Sequence, residues 1–96
     1  MNKLEKDIEA KLCAQIRFLG GYCLKWVSPN TGGVPDRIIV LPGGRVAFAE
    51  LKRPKGSRVE PLQKYWRRVL LALGFKHYLV YTEDDIKKVI EELKTT

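Results

Sequence analysis

Asp36, Glu50 and Lys52 are the residues in this chain whose types and spacing suit chemistry. Asp36 stands at the start of one apolar run, Pro35-Asp36-Arg37-Ile38-Ile39-Val40. Glu50-Leu51-Lys52 ends another, which starts at Val46, and Pro42-Gly43-Gly44 lies between them. Both runs have the composition of strands. Side chains alternate faces along a strand, so Glu50 and Lys52 share a face while Leu51 points away. With Pro42 to Gly44 as the loop, Leu41 faces Arg45, and counting outward sets Asp36 opposite Glu50. Three-residue hairpin loops with a left-handed glycine suit that register. Two carboxylates and one ammonium thus meet in a single cluster.

Such a cluster is a candidate metal site with a built-in cation. Mg²⁺ or Mn²⁺ takes hard oxygen ligands and keeps several waters, so Asp36, Glu50 and the main-chain carbonyl of Leu51 suffice as protein ligands. A divalent ion there would neutralise a phosphodiester, orient a water and hold the leaving oxygen. Lys52 would orient that water or stabilise charge on the phosphorane. The plainer alternative is an ion-pair cluster on the surface. The apolar character of both strand ends and the loop offset argue against it.

The elements that must position these residues can be read along the chain. Asn2 to Leu19 carries apolar residues at helical spacing (Leu4, Ile8, Leu12, Ile16, Leu19) and stops at Gly20-Gly21. Tyr22 to Val27 reads as a strand, and Ser28 to Val34 as a loop by its turn chemistry. Its two glycines permit close approach to a ligand or simply a tight turn. In the hairpin, Ile38, Val40, Val46 and Phe48 share one face, and Ile39, Leu41, Ala47 and Ala49 the other. A sheet apolar on both sides is expected to be covered on both. Pro54 to Glu60 is a basic loop. Pro61 suits a first helical turn, and Leu62, Tyr65, Trp66, Val69, Leu70 and Leu73 form an apolar stripe that Gly74 ends. Phe75 to Tyr81 reads as a last strand, with Thr82 capping a final helix whose buried face is Ile86, Val89, Ile90 and Leu93. The order α-β-β-β-α-β-α predicts one α/β domain over residues 1–96, a mixed sheet flanked by helices.

Charge and cysteine content bound the partners. The chain carries a formal charge of +7, and seven basic residues fall between Leu51 and Arg68 against the single acid Glu60. The bland reading is a solvated face; the sharper one is a polyanion-binding face that begins inside the metal motif. Lys25, Arg37, Arg45, Arg53, Lys55, Arg58, Lys64 and Arg67 are the candidate phosphate contacts. Cys13 and Cys23, ten apart and without partnering histidines, read as buried thiols of a reducing compartment. No apolar stretch has the length of a membrane span, and the charged N-terminus does not resemble a secretory signal, which predicts a cytoplasmic protein. His77, the single histidine, reads as a core or edge residue. Trp26 and Trp66 read as core or interface, with base stacking by Trp26 the alternative. Ser57 has no evident base beside it, and nothing calls for an organic cofactor.

Asp36 and Glu50-Leu51-Lys52, with Pro35 before them, resemble the PD-(D/E)xK nuclease signature. The fuller string Gly33-Val34-Pro35-Asp36-Arg37, Glu50-Leu51-Lys52-Arg53-Pro54 and Gln63 resembles the VRR-NUC family, in particular its short phage and bacterial members. The resemblance spans nearly the whole chain. It implies a restriction-endonuclease-like core and a third carboxylate from the first helix. Glu9 stands at the spacing before Gly20 that related resolvases use, and Glu5, one turn earlier, is the second choice. Gln63 matches the family's glutamine, which would contact the scissile phosphate or brace Lys52; an ordinary surface amide is the alternative. The resemblance further implies a homodimer that resolves four-way DNA junctions in a bacterial or phage-infected cell, with Tyr65, Trp66, Phe75 and Tyr78 as candidate contacts. Nuclease action on flaps, nicked or plain duplex is one rival reading, and a non-catalytic basic DNA-binding module is the other.

Overall fold

The computed structural model describes residues 3–53 and 58–94. In chain order the elements are α1 (Lys3–Phe18), β1 (Tyr22–Lys25), β2 (Arg37–Leu41), β3 (Arg45–Leu51), α2 (Pro61–Ala72), β4 (Lys76–Val80) and α3 (Glu83–Lys94). The four strands lie in the order β1-β2-β3-β4. The first two pairings are antiparallel and β3–β4 is parallel, with α2 as the crossover that a parallel pair requires. The expected element order and mixed sheet are both present.

The hairpin register is the one the loop offset demands. Leu41 pairs with Arg45 and Arg37 with Ala49, so the next step outward sets Asp36 against Glu50. Gly43 and Gly44 make the turn at φ +82 and +74, a conformation that side chains with a Cβ resist.

Strand ends are shorter than composition suggests. β1 stops at Lys25, two residues before Val27. The Trp26 N–H still donates to the Asp36 carbonyl at 3.0 Å, after which a turn closed by Thr31 N–H on the Ser28 carbonyl carries the chain away. β4 lacks Phe75, whose N–H caps the end of α2 at the Leu70 carbonyl. It also lacks Tyr81, whose N–H is taken by the Asp85 carboxylate at 2.8 Å. That carboxylate and the Thr82 hydroxyl bond each other's main-chain N–H groups, the reciprocal cap that starts α3.

The two sheet faces are covered unequally. On one, Ile8, Leu12 and Ile16 of α1 and Ile86, Val89, Ile90 and Leu93 of α3 enclose Ile39, Leu41, Ala47, Ala49, Leu51 and Val80. Leu12, Ile16, Ile39, Ala49 and Val80 have no exposed surface at all. Burying an aliphatic side chain of this size contributes roughly 1.5–3 kcal/mol, so this layer carries the fold. The opposite face holds only α2, of which Leu70 alone among the described residues is buried. It packs beside β4, leaving Tyr22 and Leu24 of β1 half exposed. The expectation of two covered faces therefore fails over β1 and β2, because one helix cannot span four strands.

Candidate active site

Asp36, Glu50 and Lys52 come from strand ends that meet on the α2 side of the sheet. Asp36 lies just before β2, on the face of Ile38. Glu50 is the next residue on that face after Phe48 in β3, and Lys52 follows where β3 ends. Two main-chain bonds fix the corner. The Leu51 N–H donates to the Asp36 carboxylate at 2.9 Å, and the Lys52 N–H donates to the Val80 carbonyl at 2.9 Å.

Glu50 is an unusual residue in an unusual place, a carboxyl with 2% of its surface exposed. Burial pushes its pKa up to about 9, a hydrogen bond to Asp36 and the Asp36 charge add to the rise, and Lys52 opposes it. Glu5 also contributes to the rise, which puts that acid within electrostatic reach of the pair. Two carboxyls sharing a hydrogen bond on a buried strand end are short of positive charge. A hard divalent cation would supply it, so the donor set fits Mg²⁺ or Mn²⁺. Among the described residues no three carboxylates, thiols or imidazoles are grouped closely enough to hold a metal ion.

The helix carboxylate is where structure and spacing part. Glu9 faces the covered side of the sheet, 8% exposed, and accepts from the Arg37 Nε at 2.8 Å. Arg37 follows Asp36 directly and so projects from the opposite face, where its Nη1 also reaches the Cys23 carbonyl at 3.1 Å. Burial, the largest influence, works against the Arg37 charge, but the bond to Glu9 together with the charges of Cys13, Glu9 and Cys23 raises the guanidinium pKa overall. Glu9 is thus occupied as the partner of a half-buried arginine. Glu5, about 6 Å further along the helix axis toward its start, is the acid whose charge reaches Glu50. Strand alternation held the clue: whatever pairs with Arg37 cannot sit beside Asp36.

Gln63 caps α2. Its side-chain oxygen accepts from the Glu60 N–H at 2.9 Å, a capping-box bond. The loop before Asp36 rests on this same turn. Gly33 sits at φ +84, and a Cβ there would come within 2.6 Å of the Leu62 carbonyl carbon. Gly33 thus makes a close approach to the protein's own backbone, a role beyond the two expected of the loop glycines. Pro35, fully buried, then delivers Asp36 into the cluster.

Three of the proposed phosphate contacts are engaged within the chain. Arg37 holds Glu9, Arg45 donates to the Leu93 carbonyl at 2.7 Å, and Arg67 donates to the His77 carbonyl at 2.7 Å and meets its Nδ1 at 2.9 Å. Lys25, Arg53 and Lys64 remain exposed, as does Arg58, which approaches Glu60 at 3.7 Å. Lys55 and Ser57 lie outside the described residues. His77 is 6% exposed, and burial followed by the Arg67 charge holds its pKa down to about 4. It is a neutral core histidine.

Aromatic side chains cluster on Phe48 of β3 on this face. Trp26 packs on Phe48 with centroids 5.5 Å apart, and Phe75 meets Phe48 edge-on at 5.4 Å. Of the expected interface residues, Tyr65 and Phe75 are exposed and Trp66 is half-buried. Tyr78 faces the other side, bonded to Glu92 of α3 at 3.0 Å. Sequence reading missed Tyr22 and Leu24, whose exposure follows from the short reach of α2.

No family model matches the sequence. A curated protein of Acyrthosiphon pisum secondary endosymbiont phage 1, "Putative nuclease p44", is 39% identical over 80 residues, 83% of this chain and 85% of that protein. Among solved structures, a chain described as "VRR_NUC domain" superposes with a TM-score of 0.87 at 23% identity, covering 94% of this chain and 97% of its own. The mixed sheet flanked by helices is therefore the restriction-endonuclease-like fold of that domain.

Proposed function

The chain belongs to the VRR-NUC family of nucleases, and from that premise we propose that it is a metal-dependent, structure-selective DNA endonuclease. The observation that carries this reading is the buried Glu50 carboxyl, sharing a hydrogen bond with the half-buried Asp36 beside Lys52 on the more open face of the sheet. Asp36, Glu50 and the Leu51 carbonyl are the proposed ligands of Mg²⁺ or Mn²⁺, with Glu5 in place of Glu9 as the carboxylate acting through water. The ion supplies charge neutralisation at the scissile phosphate and activation of water.

The chain's own residues do the remaining work. The Leu51 N–H fixes the rotamer of Asp36, and burial on the interior strand β3 keeps Glu50 from bulk water. Lys52, close enough to lower the Glu50 pKa, is placed to orient the attacking water and offset charge on the phosphorane. Lys25, Arg53, Arg58 and Lys64 hold the DNA backbone, with Lys55 and Arg68 in the same basic segment. Such contacts position the duplex without reading its sequence. The proposed substrate is a four-way junction, opened by paired nicks in the cytoplasm of a bacterial or phage-infected cell. Two symmetric nicks need two sites, which supports a two-fold homodimer. The partly exposed residues Tyr22, Leu24, Tyr65 and Phe75 favour it.

The purified protein, incubated with a synthetic four-way junction and with linear duplex of the same sequence, tests the reading. Mg²⁺ should give paired nicks in the junction, and EDTA should abolish them. Glu50→Gln should lower cleavage by about 10²–10³-fold while DNA binding persists, since the fold does not depend on that charge. Equal cutting of linear duplex would move the substrate to plain or nicked DNA. Binding with no cleavage in any divalent ion would leave only the basic DNA-binding module.

A further inference from the structure

We propose that Cys13 and Cys23 form a reactive dithiol, a modification site for peroxide-class oxidants that closes into an intramolecular disulfide between α1 and β1. Neither thiol takes part in the chemistry proposed for Asp36 and Glu50. Both lie on the covered side of the sheet, at its β1 edge, and both are half-buried rather than sealed. Cys13 projects one helical turn after Glu9, and Cys23 sits in β1 opposite Ile39. The Cys13 thiol donates to the Cys23 main-chain carbonyl at 3.9 Å, which seats the Cys13 sulfur directly against the Cys23 residue. Only the Gly20-Gly21 turn separates helix from strand, so the cross-link would close a short loop without moving distant elements.

The electrostatics divide the two sulfurs into unlike roles. A side-chain hydrogen bond from Cys23 draws the Cys13 pKa down to about 7, and the Arg37 guanidinium adds to this against the effects of burial and Glu9. The same hydrogen bond and burial push the Cys23 thiol up. Cys13 is thus the nucleophile and Cys23 the resolving thiol, because the thiolate is the reactive form. In the first step the Cys13 sulfur attacks one peroxide oxygen. An S–O bond forms, the O–O bond breaks, and the departing hydroxide takes up a proton as water. In the second, the Cys23 sulfur attacks the resulting sulfenic sulfur. The S–S bond forms, the S–O bond breaks, and the Cys23 proton leaves with hydroxide as a second water. Two electrons pass from the sulfurs to one peroxide.

Treating the whole protein with hydrogen peroxide, then alkylating with iodoacetamide and measuring intact mass, tests this. The wild type should become two hydrogens lighter and resist alkylation, with peptides containing Cys13 and Cys23 linked. Untreated, Cys13 should alkylate at least about tenfold faster than Cys23 near neutral pH. Cys23→Ser should stop at a Cys13 sulfenic acid that dimedone captures, and Cys13→Ser should leave Cys23 reduced. Two alkylatable thiols after peroxide, a disulfide formed only between chains, or over-oxidised Cys13 beside free Cys23 would each overturn the proposal. The wild-type measurement decides the question even if a variant folds poorly.

Discussion

The two faces of the sheet share the same strands, yet one builds a core and the other builds a site. On the α1–α3 face Ile39, Leu41, Ala47, Ala49 and Leu51 are all buried in the core that α1 and α3 enclose. On the α2 face the sequence is scarcely more polar, but cover is partial, and the pair of buried Glu50 and half-buried Asp36 sits where strand ends and loop meet. The difference teaches that period-2 alternation assigns faces without saying how much of each a helix will reach. Stability comes from the face with two helices, and the face with one leaves Tyr22 and Leu24 of β1 half exposed.

Substitutions can break this division. The largest effect should be catalytic: Asp36→Asn, like Glu50→Gln, should lower Mg²⁺-dependent nicking by about 10²–10³-fold with melting temperature held or raised, as read by junction cleavage and thermal unfolding. A large loss of melting temperature instead would mean that the site also carries the fold. On the other face Leu12→Ala should cost about 3 kcal/mol in urea unfolding, because a fully buried leucine leaves a cavity between α1 and the sheet. The two acids of α1 sharpen the contrast next. Glu9→Gln should cost about 2 kcal/mol by leaving the Arg37 guanidinium without its counter-charge, whereas Glu5→Gln should lower turnover and leave stability within about 0.5 kcal/mol. The reverse pattern would restore Glu9 as the site's acid.

Titration offers a smaller, signed test. With its pKa lifted to about 9, Glu50 keeps a proton in the native state that the unfolded chain releases above the usual carboxylate range. The metal-free protein should therefore lose stability as pH climbs from that range through about 9, and Glu50→Gln should flatten the trend. His77 works in the opposite sense: held neutral down to about 4, it costs stability as pH falls from 6.5 through that value. Thermal unfolding in EDTA across pH separates the two. The smallest effect belongs to the bare strand, where Leu24→Ser should change monomer stability by no more than about 0.5 kcal/mol.

Much of this was legible in the residues. The Pro42-Gly43-Gly44 loop and the alternation beyond it set the register that brings Asp36 to Glu50, and helical spacing located Ile8, Leu12 and Ile16. The third acid was not legible, because Glu5 and Glu9 lie on one helical stripe and only the Arg37 contact across the chain distinguishes them. Arg45 and Arg67 were likewise opaque. An arginine in a basic sequence gives no sign that a carbonyl at a helix or strand end will claim it. Gln63 carried the family pattern, yet its amide serves the first turn of α2.

The contact of Gly33 with Leu62 acts as a length gauge between the loop and the helix it rests on. Saturation mutagenesis should return glycine alone at position 33, where both the backbone angle and the neighbouring chain forbid anything larger. At positions 43 and 44, where an added Cβ meets nothing, asparagine and aspartate should survive selection as well. Lengthening the Ser28–Gly33 segment would shift Asp36 along its partner strand, so variation in chain length among working relatives should be confined to the hairpin tip and the far ends of the helices.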